Sequence, residues 1–347
     1  MQTLIEQEAA RSNVMRQHRL RELPILLLNL HENCNCRCLM CDIWKKPAGA
    51  EFALAELERH RESIAALRVR EVVLTGGEPL LHSQFDALCA FLKSCGVKVT
   101  LLTTGLLLTK RAKSVAMLVD EVIVSLDGPE DVHNKIRGVR GGFGLIRDGV
   151  AAVRADAASI PIRARSTVQR ANFAFLRGTV AAAIDLGLTS ISFLAADLTS
   201  TAFNRELVWP VERQSEVGLT GEEVGLLGDE MESLITQHSQ LIGQGYIVES
   251  PEKLRRIVRC FQEYLGELQP EAPLCNAPWV SAVLEVDGGI RPCFFHRKVG
   301  SASLHSLAEA INSDDAERFR GSLDVKSDAT CKRCVCSLNY PNNAPGR

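Results

Sequence analysis

Six short apolar runs, each of strand length, recur across the first 200 residues of this chain. They are ILLLNLH (25–31), EVVLTG (71–76), VKVTLLT (97–103), EVIVSLD (121–127), IPIRARSTV (160–168) and SISFLAA (190–196). Helix-patterned segments lie between them, at 54–67, 84–94, 109–118, 143–154 and 175–186. No other feature constrains the fold as strongly. Strands that alternate with helices are joined by crossovers, and crossovers build a parallel sheet from βαβ units. A complete barrel needs eight strands. Six leave either a partial barrel or an open sheet.

Residues 200–270 read differently. Thr220 and Glu223 form a capping box ahead of an apolar stripe at Val224, Leu227, Met231, Leu234 and Leu241. Ser250 followed by Pro251 opens a second helix. Beyond this helical connector, SAVLEVDGGIRPCFF (281–295) is a hairpin pattern with Asp287-Gly288 at its turn. The last forty residues hold a helix and then CKRCVC. The expected divisions are an N-terminal helical extension over 1–21, a core over 22–200, the connector over 201–270 and a C-terminal domain over 271–347.

A chain of 347 residues, 46% apolar, is long enough to bury a sizeable core. Its formal net charge of −2 argues against a nucleic-acid or anionic-membrane partner held by bulk electrostatics. No apolar run is long enough to span a bilayer. Glu6 and Glu8 interrupt the N-terminus, which lacks the apolar stretch of a signal peptide. The expected location is the cytoplasm. Twelve cysteines there are not expected to form disulfides. They gather at 34–41 and 275–336, which reads as metal chemistry. Cys89, Cys95 and Cys260 lie apart and are expected to be small core residues.

CNCRCLMC (34–41) follows the first strand run. Cys34, Cys38 and Cys41 give C-x3-C-x2-C. Three thiolates suit three irons of a cubane cluster and leave the fourth iron open. Zinc normally wants four ligands, which would need an awkward wrap through Cys36. TGGEP (75–79) ends the second run. Its bland reading is a turn; its functional reading is a backbone that a ligand approaches, with Glu78 to fix an amine. The C-terminal edge of a parallel sheet is where α/β folds bind ligands. The third run ends in Thr103-Thr104-Gly105 and the fourth in Ser125-Leu126-Asp127-Gly128. In the fifth, Arg163, Arg165, Thr167 and Gln169 share one face. That polar stripe faces either a lumen with a charged ligand or surface carboxylates.

C-x3-C-x2-C after strand one, GGEP after strand two and VSLDGPEDVHNKIRG (124–138) after strand four together resemble the radical S-adenosylmethionine (SAM) superfamily. The resemblance covers about residues 22–200. It implies an α/β fold with a (βα)6 partial TIM barrel. It implies a [4Fe–4S] cluster on Cys34, Cys38 and Cys41, whose open iron takes the amino and carboxylate groups of SAM. It assigns Cys36 no ligand role. Met40 resembles the residue that packs on the adenine. Gly76, Gly77 and Glu78 resemble the motif that holds the methionine amine. Ser125 and Asp127 resemble ribose or methionine contacts, and Arg165 is assigned from its face on strand five. Thr104 departs from the pattern, since relatives often carry Asn before this Gly. His133 is expected to cap or brace the loop after strand four, with Arg137 reaching the SAM carboxylate as an alternative role for this motif. The implied chemistry is one-electron reduction of the cluster, cleavage of SAM to a 5′-deoxyadenosyl radical and hydrogen abstraction from a substrate.

CNAPW (275–279), the spacing from Gly288 to Cys293 and the closing CKRC resemble the twitch or SPASM extension of the same superfamily. That likeness implies a small hairpin-plus-helix domain and one auxiliary [4Fe–4S] cluster on Cys275, Cys293, Cys331 and Cys334. A structural zinc site on the same four is the alternative. Cys336 is a spare thiol, an alternative ligand or a hydrogen donor. His296 is expected on a loop surface, with a hydrogen bond to the auxiliary cluster as the other reading.

The expected function is that of a radical SAM enzyme, of oxidoreductase or lyase type, acting on a small polar metabolite by dehydrogenation, decarboxylation or epimerisation. The short stretch before strand one favours this over a maturase that modifies a ribosomally made peptide. A third reading, from another class, is a non-catalytic iron–sulfur or zinc protein. Expected partners are the substrate and an electron donor such as flavodoxin or ferredoxin, with no nucleic acid and no membrane.

Overall fold

A computed structural model describes Met15 and residues 18–47, 49–203, 205 and 207–340. The helical extension expected over 1–21 lies, apart from Met15 and 18–21, outside the described residues. The six expected strands are present in order: β1 (Ile25–Asn29), β2 (Glu71–Thr75), β3 (Lys98–Thr103), β4 (Glu121–Ser125), β5 (Ile162–Val168) and β6 (Ile191–Ala195). Helices separate β2 from β3, β3 from β4, β4 from β5 and β5 from β6. Three further strands follow near the C-terminus, β7 (Ser281–Leu284), β8 (Gly289–Arg291) and β9 (Gly300–Ser301). The fold class is mixed α/β with parallel strands and an antiparallel C-terminal region.

The chain divides into two compact units, one of residues 1–32, 49–100 and 272–347, the other of 33–48 and 101–271. The division falls within β3. In the first unit β1 is central. It pairs in parallel with β2, Leu26 opposite Val72, and in parallel with β7, Leu26 opposite Ala282. Leu26, Leu28, Val72, Leu74, Val283 and Leu284 are all fully enclosed. β7 and β8 form the expected antiparallel hairpin, Leu284 opposite Ile290, and β9 pairs with β8. Gly288 sits at the turn with φ +79°, a conformation that glycine adopts without a Cβ penalty.

In the second unit β4, β5 and β6 are parallel, with Ser125 opposite Arg165 and Arg165 opposite Ser192. The helices Leu108–Leu118 and Gly142–Asp156 pack on each other through Leu108, Ala112 and Val115 and through Ile146, Val150 and Val153. Residues 246–249 run along β6. Ile191 N–H donates to the Tyr246 carbonyl at 2.7 Å and Phe193 N–H to Glu249 Oε2 at 2.9 Å. The segment satisfies backbone donors of β6 that would otherwise lie on an unpaired edge.

The capping box is present: Thr220 N–H donates to Glu223 Oε2 at 2.9 Å and Glu223 N–H to Thr220 Oγ1 at 3.3 Å. Val224, Leu227, Met231 and Leu234 are buried as the stripe predicts. Leu241 is not in that helix, which ends at Gln237; it belongs to the short helix Ser239–Gly243. Of the three isolated cysteines, Cys89 is buried, whereas Cys95 and Cys260 are only partly so. No described helix is long and apolar enough to cross a membrane.

Candidate functional site

In the second unit the segment 33–47 carries the four clustered cysteines, with almost no regular structure of its own. It is held by what surrounds it. The Glu130–Arg137 helix ends against it: Arg37 N–H donates to the Arg137 carbonyl and Leu39 N–H to the Ile136 carbonyl, both at 2.9 Å. Gly138 closes that helix with φ +64°, and a Cβ there would lie 2.9 Å from the Arg37 carbonyl oxygen. Only glycine tolerates both conditions. Thr104 Oγ1 donates to Asn35 Oδ1 at 3.0 Å, so the threonine that departs from the family pattern braces the cysteine loop.

Within the loop the thiols differ. The Cys36 S–H is bonded to Cys38 and the Arg137 guanidinium stands beside it; together they bring the Cys38 thiol down to about 6 despite its burial. Cys36 is pushed up, first by giving its proton to that bond and then by burial. Cys41 is pushed up to about 11 by burial. Cys36 is 1% exposed and Cys38 6% exposed. Three thiols on one loop, with the Arg137 guanidinium beside Cys38, are a donor set that fits an iron–sulfur cluster. Met40 is partly buried on the same loop.

Arg137 does not lie free to meet a ligand carboxylate. Its guanidinium ion-pairs with Asp127 Oδ2 at 2.6 Å and donates to Cys38 Sγ at 3.6 Å. Asp127 is fully buried, and its Oδ1 accepts the Thr167 N–H at 2.8 Å. His133 braces the loop after β4 as expected: Asp127 N–H donates to His133 Nδ1 at 3.3 Å. Burial lowers the His133 pKa to about 3, so the ring is a neutral acceptor. On β5, Arg163 bridges the buried Glu121 at 3.0 Å, whereas Arg165 donates to Ser192 Oγ at 3.3 Å. Glu249, whose pKa burial raises, feels the charge of Arg165.

One part of this site had no visible signal in sequence. After β6, Arg205 forms an enclosed ion pair with Asp197 at 2.7 Å and stacks 3.8 Å over the Trp209 ring. Trp209 Nε1–H donates to the Asp42 carboxylate, and Arg213 donates to the Leu39 carbonyl. Trp209 and Arg213 thus tie down the end of the cysteine loop. These residues lie about 170 positions from Cys41, and nothing local marks them.

In the first unit the first glycine of TGGEP is required by contact. Gly76 has φ +120°, and a Cβ would meet the His31 carbonyl oxygen at 2.4 Å. Gly77 N–H donates to that same carbonyl at 2.7 Å. Glu78 is fully buried; its Oε1 accepts the Leu80 N–H at 3.0 Å, and its carbonyl meets His31 Nε2 at 2.9 Å.

The C-terminal cysteines also meet in the first unit. Burial raises the Cys331 and Cys334 thiols, and both feel Cys275 and Cys293. Cys293 is pushed up to about 11 by burial, with Cys275 adding to the rise. These thiols, from three places in the sequence, thus lie close enough to act on one another electrostatically. Asn276 draws the last segment in. Its N–H donates to the Leu338 carbonyl and its Nδ2 to the Tyr340 carbonyl, both at 2.8 Å, and its Oδ1 accepts the Tyr340 N–H at 2.9 Å. Cys334 Sγ donates to the Cys336 carbonyl at 2.9 Å. His296 corrects the surface expectation. It is 8% exposed, lies edge-on to Phe319, and places Nε2 3.4 Å from Cys331 Sγ and 3.8 Å from Asp328. The run CFFHRK gives no hint of Phe319, which comes from a separate helix.

Comparison with known proteins agrees with this geometry. Residues 28–156 match the radical SAM superfamily and residues 275–335 match the SPASM iron–sulfur cluster-binding domain. The chain is 28% identical over 208 residues to the AdoMet-dependent heme synthase of Methanosarcina barkeri, covering 55% of this chain and 59% of that protein. It is 28% identical over 203 residues to the PqqA peptide cyclase of Ruegeria pomeroyi, covering 56% of this chain and 53% of that protein. It therefore spans less than two thirds of the length of these curated relatives. Among solved structures, Streptococcus suis SuiB bound to precursor peptide SuiA shares the fold, with a TM-score of 0.63 at 14% identity, covering 97% of this chain and 76% of that one.

Proposed function

Since the chain carries a radical SAM domain and a C-terminal SPASM-type iron–sulfur domain, we propose that it cleaves SAM reductively and abstracts a hydrogen atom from a small polar metabolite. Members of this superfamily are enzymes, and the two domains imply a SAM-binding [4Fe–4S] cluster and an auxiliary one. Bound on Cys34, Cys38 and Cys41, the first cluster would supply the electron that breaks the SAM sulfonium bond. Met40, Gly76, Gly77, Glu78, Ser125 and Arg165 are the proposed SAM contacts, whereas Asp127, expected among them, is fully enclosed with its carboxylate on the Thr167 N–H and Arg137. Cys275, Cys293, Cys331 and Cys334 are the proposed auxiliary ligands. The proposed division is a core over 22–200, a connector over 201–270 and a cluster domain over 271–347. An acidic one-electron donor such as flavodoxin or ferredoxin would complete the system.

The chain's own residues hold and orient. Gly76 and the Gly77 N–H seat the TGGEP turn on the His31 carbonyl, and Trp209 and Arg213 hold the end of the cysteine loop. The observation that carries the substrate reading is the registered row Ser125–Arg165–Ser192, with Glu249 acting on Arg165. Arg165 on β5 and Glu249, drawn in beside β6 by the Phe193 N–H, put a cation and a carboxylate near this row, which suits a small group that bears both donors and acceptors. Dehydrogenation, decarboxylation and epimerisation remain the proposed outcomes. A second reading, peptide modification, is favoured by the likeness to the PqqA peptide cyclase.

An anaerobic, reduced assay with deuterated candidates tests both. Deuterium in 5′-deoxyadenosine from a small metabolite supports the first reading, and transfer only from a peptide replaces it with the second. Tightly bound zinc with no iron after reconstitution would overturn enzymatic radical chemistry altogether.

A further inference from the structure

The end of the Glu130–Arg137 helix does more than hold a loop. Its last two carbonyls grip the backbone on either side of Cys38, through Arg37 and Leu39. Its last side chain then places a guanidinium N–H 3.6 Å from the Cys38 sulfur. The same guanidinium meets Asp127 at 2.6 Å, with the arginine side chain 10% exposed and the aspartate fully enclosed. Asp127 is fixed in turn by the Thr167 N–H of β5 at 2.8 Å. The result is a line of sulfur, cation and anion, shut away from solvent and screened little by salt. Guanidinium keeps its charge at any working pH.

Hydrogen bonds to cluster sulfurs, nearby charge and burial are what set iron–sulfur potentials. An N–H aimed at a ligand thiolate withdraws electron density from the iron it binds and makes the cluster easier to reduce. A carboxylate behind the cation opposes that effect. We propose that Arg137 is a positioning residue that raises the reduction potential of the cluster on the Cys34–Cys41 loop, with Asp127 as the counter-charge that limits the rise. This rests on reading Cys34, Cys38 and Cys41 as the ligands.

The two partners therefore have opposite signs. Arg137→Met removes donor and charge, and the midpoint potential moves negative. Asp127→Asn keeps an acceptor for the Thr167 N–H but leaves the cation unopposed, and the potential moves positive. Arg137→Lys keeps the charge and falls between Arg137→Met and the unaltered protein. A purely structural role would move every variant the same way, through a loosened loop.

The experiment is a redox titration followed by electron paramagnetic resonance on the full chain, reconstituted anaerobically with iron and sulfide. The signal that changes on adding SAM belongs to this cluster. Shifts of opposite sign for the Arg137 and Asp127 variants support the proposal. Unchanged midpoints, or shifts of the same sign, overturn it. If Arg137→Met does not load iron, Arg137→Lys against Asp127→Asn carries the same comparison. Should Cys34→Ala retain the SAM-sensitive signal, the ligand reading has failed and the proposal falls with it, whereas loss of that signal with unmoved midpoints in the Arg137 and Asp127 variants overturns the role of Arg137 alone.

Discussion

Cys36 and Cys38 are two residues apart and chemically opposite. The Cys36 thiol is pushed up by its bond to Cys38 and by burial, whereas that bond and the Arg137 guanidinium push the Cys38 thiol down. Cys36→Ala is therefore expected to keep the iron of the first cluster. Alanine at Cys34, Cys38 or Cys41 is expected to lose it, leaving only the auxiliary irons. Counting iron and sulfide per chain after reconstitution decides this, and loss of iron from Cys36→Ala would sink the assignment. Asn276 makes a comparable case in the C-terminal domain. It is 1% exposed, with three hydrogen bonds to residues 338–340. Asn276→Ala strands two part-buried backbone partners on Tyr340, at roughly 1–3 kcal/mol. A lower melting temperature and faster loss of auxiliary iron to a chelator are the expected readouts.

Two glycines carry structural weight at the level of elements, and a third marks the contrast. At Gly76 a methyl group would overlap the His31 carbonyl, and φ +120° is unfavourable for any side chain. Gly76→Ala is expected to destabilise by on the order of 1–3 kcal/mol and to displace the TGGEP turn from β1. Gly138→Ala faces a milder version against Arg37. Gly225 lies within the Gly221–Gln237 helix with open space around it. Gly225→Ala should stabilise, by up to about 1 kcal/mol. Chemical denaturation of the three variants in parallel tests the set; equal effects at Gly76 and Gly225 would contradict it.

The pH response belongs to the whole molecule. His31, His60, His82, His133 and His296 are all buried, and burial lowers every one of their pKa values. Buried rings stay neutral while the unfolded chain takes up protons at its ordinary pKa of about 6.5. The unfolded state then binds more protons, so stability is full above about 6.5 and falls as the pH drops. For His133 the loss continues toward its folded value of about 3. Unfolding midpoints in denaturant, measured from pH 7.5 to pH 4, are expected to fall steadily. His133→Gln, which keeps an acceptor for the Asp127 N–H, should flatten the fall. An unchanged slope would show that His133 takes no part.

Sequence alone determined the alternation of strands and helices, the two cysteine groups and the hairpin at Asp287-Gly288. Each is a local pattern: periodicity, spacing and turn chemistry are written in neighbouring residues. The capping box at Thr220 was legible for the same reason, whereas the break at His238 was not, because the apolar spacing runs on through Leu241. Only tertiary structure decided the rest. It turned Arg137 from a ligand contact into a partner of Cys38 and Asp127, and it buried His296 against Phe319. It brought Trp209 to Asp42 and Asn276 to Tyr340. These contacts join residues tens to hundreds of positions apart. Whether a polar side chain faces water, a thiol or an opposite charge depends on which distant segment packs beside it, and spacing along the chain does not encode that.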